Sequence, residues 1–183
     1  MNEKNLEGNL VKLCAVEKDK DAELLALWNK DSEFIHLSDT GPAHLPPVKQ
    51  IQDWLEEVDK SSSNFMIVTV IDSKRIGSMG LYDFDWTSRS ACVGIGIGDL
   101  DYRGKGYGTE AMQLTLHYAF NELNLHRVYL SVFDINQPAL RSYEKCGFKY
   151  EGVEREMIYK LDQRWNVVNM GILQAEWQHS QEG

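Results

Sequence analysis

The run Arg103-Gly104-Lys105-Gly106-Tyr107-Gly108 sets three glycines and two cations between a segment of strand character and one of helical character. Such a junction can hold an anion. The first N–H groups of a helix lack intrahelical partners, the helix start carries partial positive charge, and glycine lets an oxygen approach the backbone without a Cβ in the way. Arg103 and Lys105 add full charges. The predicted ligand is the phosphate or pyrophosphate of a cofactor. The pattern GxxxxGK[ST] fails, with Asp99 in place of its first glycine and Gly106 in place of its Ser/Thr. GxGxxG also fails, ending on Thr109 when started at Gly104 and on Asp101 when started at Gly96. R-x-x-G-x-G remains. Its bland alternative is a structural turn.

The elements around the loop follow from periodicity. Leu10–Val16, Phe65–Ile71, Ile76–Trp86, Ala91–Gly98, Val128–Phe133, Gly152–Leu161 and Trp165–Leu173 read as strands, the last two as a terminal hairpin. Asp21–Trp28 reads as a helix. Val48, Ile51, Trp54, Leu55 and Val58 mark one face of a second. A third starts at the glycine loop, with Met112, Leu116, Ala119, Phe120 and Leu123 at helical spacing. Pro138 opens a fourth, which closes near Gly147. This order predicts one mixed α/β sheet of six to seven strands flanked by about four helices, in a single domain spanning 1–183.

Composition limits the partners. The chain has 183 residues, with 19 Lys and Arg against 28 Asp and Glu, a net charge of −9. A protein of this balance lacks the basic stripe that nucleic acid needs. Residues 1–60 hold 13 acidic against 7 basic residues, a surface for cationic partners such as amines, or for solubility alone. No apolar run is long enough to span a membrane, and the N-terminus lacks a signal pattern. Cys14, Cys92 and Cys146 lie far apart, which predicts reduced thiols in a cytoplasm. The five histidines show no metal-ligand spacing, so no metal is expected.

From about Val93 to Trp177 the chain resembles the GNAT-superfamily N-acetyltransferases, in the style of the ribosomal-protein N-terminal and spermidine acetyltransferase groups. The resemblance rests on the glycine loop, on Asn136-Gln137-Pro138-Ala139-Leu140-Arg141-Ser142-Tyr143-Glu144-Lys145-Cys146-Gly147-Phe148, and on Met170-Gly171-Ile172-Leu173 with Glu176-Trp177. It implies a sheet splayed between two parallel strands, and acetyl-CoA as co-substrate. It assigns the pyrophosphate to Arg103–Gly108, and the pantetheine arm to the backbone of Gly96, Ile97 and Gly98. Asn136 then contacts the arm, and Tyr143 is the general acid for the CoA thiolate. Asn136 also suits a helix N-cap, and Tyr143 a core aromatic. Family members are often dimeric, so a homodimer is implied as well.

The implied reaction is direct attack of a primary amine on the thioester, with a backbone N–H near Ile97 for the oxyanion. The acceptor is a protein N-terminus, a polyamine or another small amine. Deprotonation at pH 7 costs about 4.6 kcal/mol for a lysine-like amine and about 1.1 kcal/mol for an α-amino group. The resemblance departs at the base. Val93 stands where these groups often carry a glutamate, which leaves the base unassigned between a water relay and a carboxylate such as Asp134 or Glu156. Asp162-Gln163 and Asn166 replace the usual Asp-Gly turn and strand Asp of the hairpin. The rival readings are a non-catalytic acyl-CoA-binding regulatory module and a nucleotide phosphate-binding enzyme.

Overall fold

The computed structural model describes residues 6–38, 40–41, 44–58 and 61–181. Seven strands form one sheet: β1 (Val11–Ala15), β2 (Ser63–Thr69), β3 (Arg75–Asp85), β4 (Ser90–Ile97), β5 (Arg127–Phe133), β6 (Lys149–Lys160) and β7 (Gln163–Leu173). Their order across the sheet is β1-β2-β3-β4-β5-β7-β6. Every neighbouring pair is antiparallel except β4 and β5. The parallel pair is short. Ser90, Ala91 and Cys92 match Arg127, Val128 and Tyr129, and no further pair follows. From Val93 onward the two strands part, which opens a gap in the middle of the sheet.

Helices cover both faces, as a sheet of largely apolar strands requires. They are α1 (Lys18–Trp28), α2 (Ser32–Ser38), α3 (Val48–Val58), α4 (Tyr107–His117), α5 (Gln137–Lys145) and α6 (Gln174–Gln181). Alternation along β2 sends Phe65 and Ile67 to the main core, shared with Ala111, Met112 and Leu116 of α4. Met66 and Val68 face the other way, onto Trp28. A π-turn, Tyr118–Glu122, continues α4 and sets Phe120 against Trp177, with ring centroids 5.4 Å apart.

Two helices exceed the four expected. Asp31 accepts backbone hydrogen bonds from Glu33 and Phe34 at 3.0 and 3.3 Å, which starts α2. The hairpin runs straight into α6, where Glu176 accepts from the Leu173 N–H at 3.1 Å. The α3 face is narrower than its periodicity suggests. Ile51 and Leu55 are buried against α1, whereas Trp54 is 53% exposed on the flank. The side chain of Val58 lies outside the described residues.

The edge strand β1 is held by a charge. The Glu110 carboxylate, in the first turn of α4, accepts from the backbone N–H groups of Asn9, Leu10 and Val11 at 3.0, 2.7 and 2.8 Å. Bonds to a charged acceptor are worth about 1.5–3 kcal/mol each, less where water can replace them. Glu110→Ala is therefore expected to lower the unfolding free energy by about 2–3 kcal/mol. Urea denaturation reads this, and a loss under about 0.5 kcal/mol would mean that water substitutes for the carboxylate.

Candidate active site

The glycine loop ends at Gly106, whose φ of 92° places it at the N-cap of α4 with no side-chain cap. Gly104 has φ 71°. Both angles belong to the left-handed region that glycine enters without strain. The first N–H groups of an 11-residue helix are thus left open toward an anion. Lys105 is exposed beside them. Gly108 brings α4 close to β4, its missing Cβ 3.5 Å from Ile97 Cγ1. Tyr107 packs edge-on to Tyr102 at 5.1 Å.

Arg103 departs from its expected role as a charge for the phosphate. Its Nε and Nη2 donate to the carbonyls of Ile97 and Gly98 at 2.8 and 3.0 Å. Nη1 pairs with Asp31 at 2.8 Å, and the guanidinium lies over the Phe34 ring at 5.2 Å. This side chain is a strut that ties the end of β4 to the start of α2. Burial raises the pKa of Asp31, but the Phe34 N–H and Arg103 outweigh it, and the carboxyl is held below its ordinary value.

The glycines at and just beyond the end of β4 also serve packing more than expected. A Cβ on Gly96 would sit 2.8 Å from the Phe34 ring, and one on Gly98 would sit 2.0 Å from Trp28. On that face they make room for α1 and α2. Since Arg103 takes the carbonyls of Ile97 and Gly98, the open edge facing the gap runs chiefly from Val93 to Gly96.

Helix α5 closes the other side of the gap. Asn136 Oδ1 accepts from the Ala139 N–H at 3.2 Å, so the capping reading holds, and Nδ2 is left to donate to a ligand. Thr109 and Ser142 hydroxyls meet at 2.8 Å and lock α4 to α5. Tyr143 packs edge-on to Phe148 at 6.0 Å. Burial, helped by Cys146 and Cys92, pushes its hydroxyl up to about 12. It therefore stays protonated through neutral pH and can donate. Burial pushes Cys146 up to about 12 as well, which makes it a packing thiol and not a nucleophile.

At the vertex, Cys92 is matched by Tyr82 on β3 and by Tyr129 on β5. The Tyr82 ring lies over Gly94, 3.2 Å from where a Cβ would stand. Burial, with the Cys92 contact, raises the Tyr82 hydroxyl well above its ordinary value. Val93 faces the core at 3% exposure, so the residue facing the vertex is Cys92. Asp134 and Glu156 are not brought here. The Asp134 carboxylate holds Asn166 through its N–H at 3.2 Å and its Nδ2 at 2.7 Å. Asn166 in turn accepts from the Glu156 N–H at 2.9 Å. Asn166 is thus a brace across β5, β7 and β6.

A cleft of about 390 Å³ lies between α2 and the β6–β7 hairpin, with Glu33, His36, Phe133, Lys160 and Trp165 in its walls. A hollow of about 790 Å³ by α1, with Val48 and Arg75 also in its walls, contains no residue of the glycine loop, of α5 or of the vertex. Among the described residues no group of His, Cys, Asp and Glu could hold a metal ion, and no helix is long and apolar enough to cross a membrane.

Residues 11–149 match the model of the acetyltransferase (GNAT) domain. The "Probable N-acetyltransferase YjcK" of Bacillus subtilis is 34% identical over 119 residues, 64% of this chain and 65% of that protein. The spermidine N(1)-acetyltransferase of Escherichia coli is 29% identical over 161 residues, 87% of this chain and 78% of that one. The structure of spermidine N-acetyltransferase from Vibrio cholerae, in complex with CoA and spermine, superposes with a TM-score of 0.84 at 25% identity, covering 93% of this chain and 99% of that one. The family match covers the parted strands and the uncapped glycine-led helix alike, and the chain belongs to the GNAT acetyltransferases, acetyl-CoA-dependent N-acetyltransferases.

Proposed function

We propose that the chain, as one catalytic domain, acetylates a primary amine of a small cationic molecule of the polyamine class. The observation that carries this is the parting of β4 and β5 beside the open start of α4, with Tyr143 on the far wall. The loop N–H groups from Gly104 to Gly108 hold the pyrophosphate. The edge from Val93 to Gly96 takes the pantetheine arm as an added strand, and a backbone N–H near Ile97 supplies the oxyanion donor. Asn136 offers Nδ2 to the arm. Tyr143 gives its proton to the departing thiolate.

The acceptor enters from the cleft walled by α2 and the hairpin. Glu33 there can meet a second ammonium, and Trp165 offers an aromatic face to a cation. The net charge of −9 draws such molecules in. Relatives that act on spermidine, by name, support the same class. A protein N-terminus is the second reading, favoured by Lys160, whose ammonium sits over Phe133 in the same cleft and repels a polycation. Three unpaired cysteines suit a reducing cytoplasm. A homodimer is also proposed, and light scattering on the purified protein checks it.

A thiol-release assay with acetyl-CoA and a panel of spermidine, spermine, aminoglycosides and N-terminal peptides tests the acceptor. Release with polyamines is expected. Release with peptides alone would replace the polyamine reading by the second one.

A further inference from the structure

We propose that Asp83, on a bulge of β3 beside the vertex, is the carboxylate that holds the acceptor's ammonium and takes up its proton. This rests on the reading that the chain acetylates a primary amine. The strand register places Asp83. Tyr82 stands opposite Cys92, and Cys92 opposite Tyr129, which is the last matched pair before β4 and β5 part. Asp83 follows Tyr82 directly. The β3–β4 register then shifts, so that Asp83 and Phe84 together face Ala91 before Asp85 meets Ser90. Asp83 takes a left-handed φ of 52°, a conformation aspartate tolerates better than most residues. Phe84 packs against the main core, while Tyr82 lies over Gly94 on the other face. The bulge inserts an exposed carboxylate between them.

Other carboxylates are spent or too far away. Asp85 Oδ1 accepts from the Thr87 and Ser88 N–H groups, both at 2.9 Å. Asp134 is five residues beyond Tyr129, about 16 Å along an extended chain, and holds Asn166. Asp83 has no hydrogen-bond partner among the described residues. Burial is the main cause that raises Tyr82 on its own strand, Cys92 on β4 and Tyr129 on β5, and the Asp83 charge adds to it at all three. Asp85 and Arg127 also bear on Tyr129, and Tyr143 of α5 on Tyr82. Arg127 is itself paired with Glu151.

The step balances as follows. The ammonium gives one proton to the Asp83 carboxylate, which passes it to water. The freed nitrogen lone pair forms the C–N bond at the thioester carbonyl. Collapse of the tetrahedral adduct releases the second nitrogen proton to water and breaks the C–S bond. The thiolate takes the Tyr143 proton, and the phenolate recovers one from solvent.

Asp83→Asn tests this, since asparagine also tolerates a left-handed φ. The probe is the amine from the panel that the unaltered enzyme uses fastest. At pH 7, kcat/KM is expected to fall by about 100-fold. At pH 9.5 a larger share of the amine arrives uncharged, and the deficit should shrink below about 10-fold. Asp83→Glu should recover most of the rate. The melting temperature and acetyl-CoA affinity of Asp83→Asn should match those of the unaltered chain. A deficit under about 3-fold at pH 7, or one unchanged with pH, overturns the proposal. An unaltered enzyme inactive with every amine would instead sink the functional reading itself.

Discussion

Tyr143→Phe is expected to lower kcat by about 100- to 1,000-fold while acetyl-CoA binds as before. The ring keeps its edge contact with Phe148, so packing survives, and one hydroxyl is lost. That hydroxyl acts only when the thiolate leaves, so kcat and kcat/KM should fall together and KM should hold. Burial has raised its pKa to about 12, so the unaltered enzyme should show no alkaline loss from this group below about pH 11. The same burial shapes stability. The unfolded chain ionises Tyr143 near pH 10, and Cys146 near pH 8.5 to 9, while the folded chain holds both protonated to about 12. Stability contributed by these two groups is complete below those unfolded values and lost as pH rises toward 12. Thermal melts between pH 8 and 11 read this. A Tyr143→Phe enzyme within about 3-fold of the unaltered kcat would remove the acid role.

Gly98→Ala carries the largest expected loss of stability. The added Cβ would lie 2.0, 2.3 and 2.5 Å from Cδ2, Cγ and Cε2 of Trp28. These are atoms of a rigid indole that is 6% exposed and wedged against Met66 and Val68. Neither side can yield without moving α1. Overpacking of ordinary severity costs about 1–3 kcal/mol, and a clash this deep should exceed about 3 kcal/mol. The damage should reach the cofactor loop. Trp28 is three residues before Asp31, and Asp31 holds Arg103, whose guanidinium clasps Ile97 and Gly98. Denaturant unfolding and acetyl-CoA titration should therefore both respond. Gly152→Ala is the control, because nothing lies within 4 Å of its Cβ, and it should be near neutral. If Gly98→Ala were equally neutral, the contact between α1 and β4 would be looser than described.

Much of the fold was legible because its signals are local. Most strands showed as β-branched or apolar runs and α3 and α4 as apolar stripes, and the mixed sheet followed from their order. Helix α2 was missed because it spans only Ser32–Ser38 and shows little periodicity, although Asp31 ahead of Glu33 and Phe34 is a capping signal. The glycine loop was readable from type and spacing, whereas Asn136 and Tyr143 were singled out only by the family resemblance. The turned-in side chain of Arg103 was not, because its partner Asp31 is far away in sequence. Asp83 stayed hidden for a related reason. A strand pattern gives which face a residue takes, but a bulge and a register depend on the neighbouring strand. Likewise Val93 and Cys92 differ by one position, and one position separates core from vertex.

The three residue pairs that join β4 to β5 have a consequence for the lifetime of the protein. Without co-substrate the two leaves of the sheet share a core but only that short seam of main-chain pairing, and much of the strand backbone beyond it is left to water. In the proposed site acetyl-CoA would lie in the gap as the missing strand, so part of its binding energy would also be folding energy. At a concentration 100 times Kd the bound form gains about 2.7 kcal/mol over the empty one. That gain lowers the unfolded fraction about 100-fold and, with it, exposure to proteolysis. The abundance of this enzyme should therefore follow the acetyl-CoA supply around it, with the empty chain as the more perishable form.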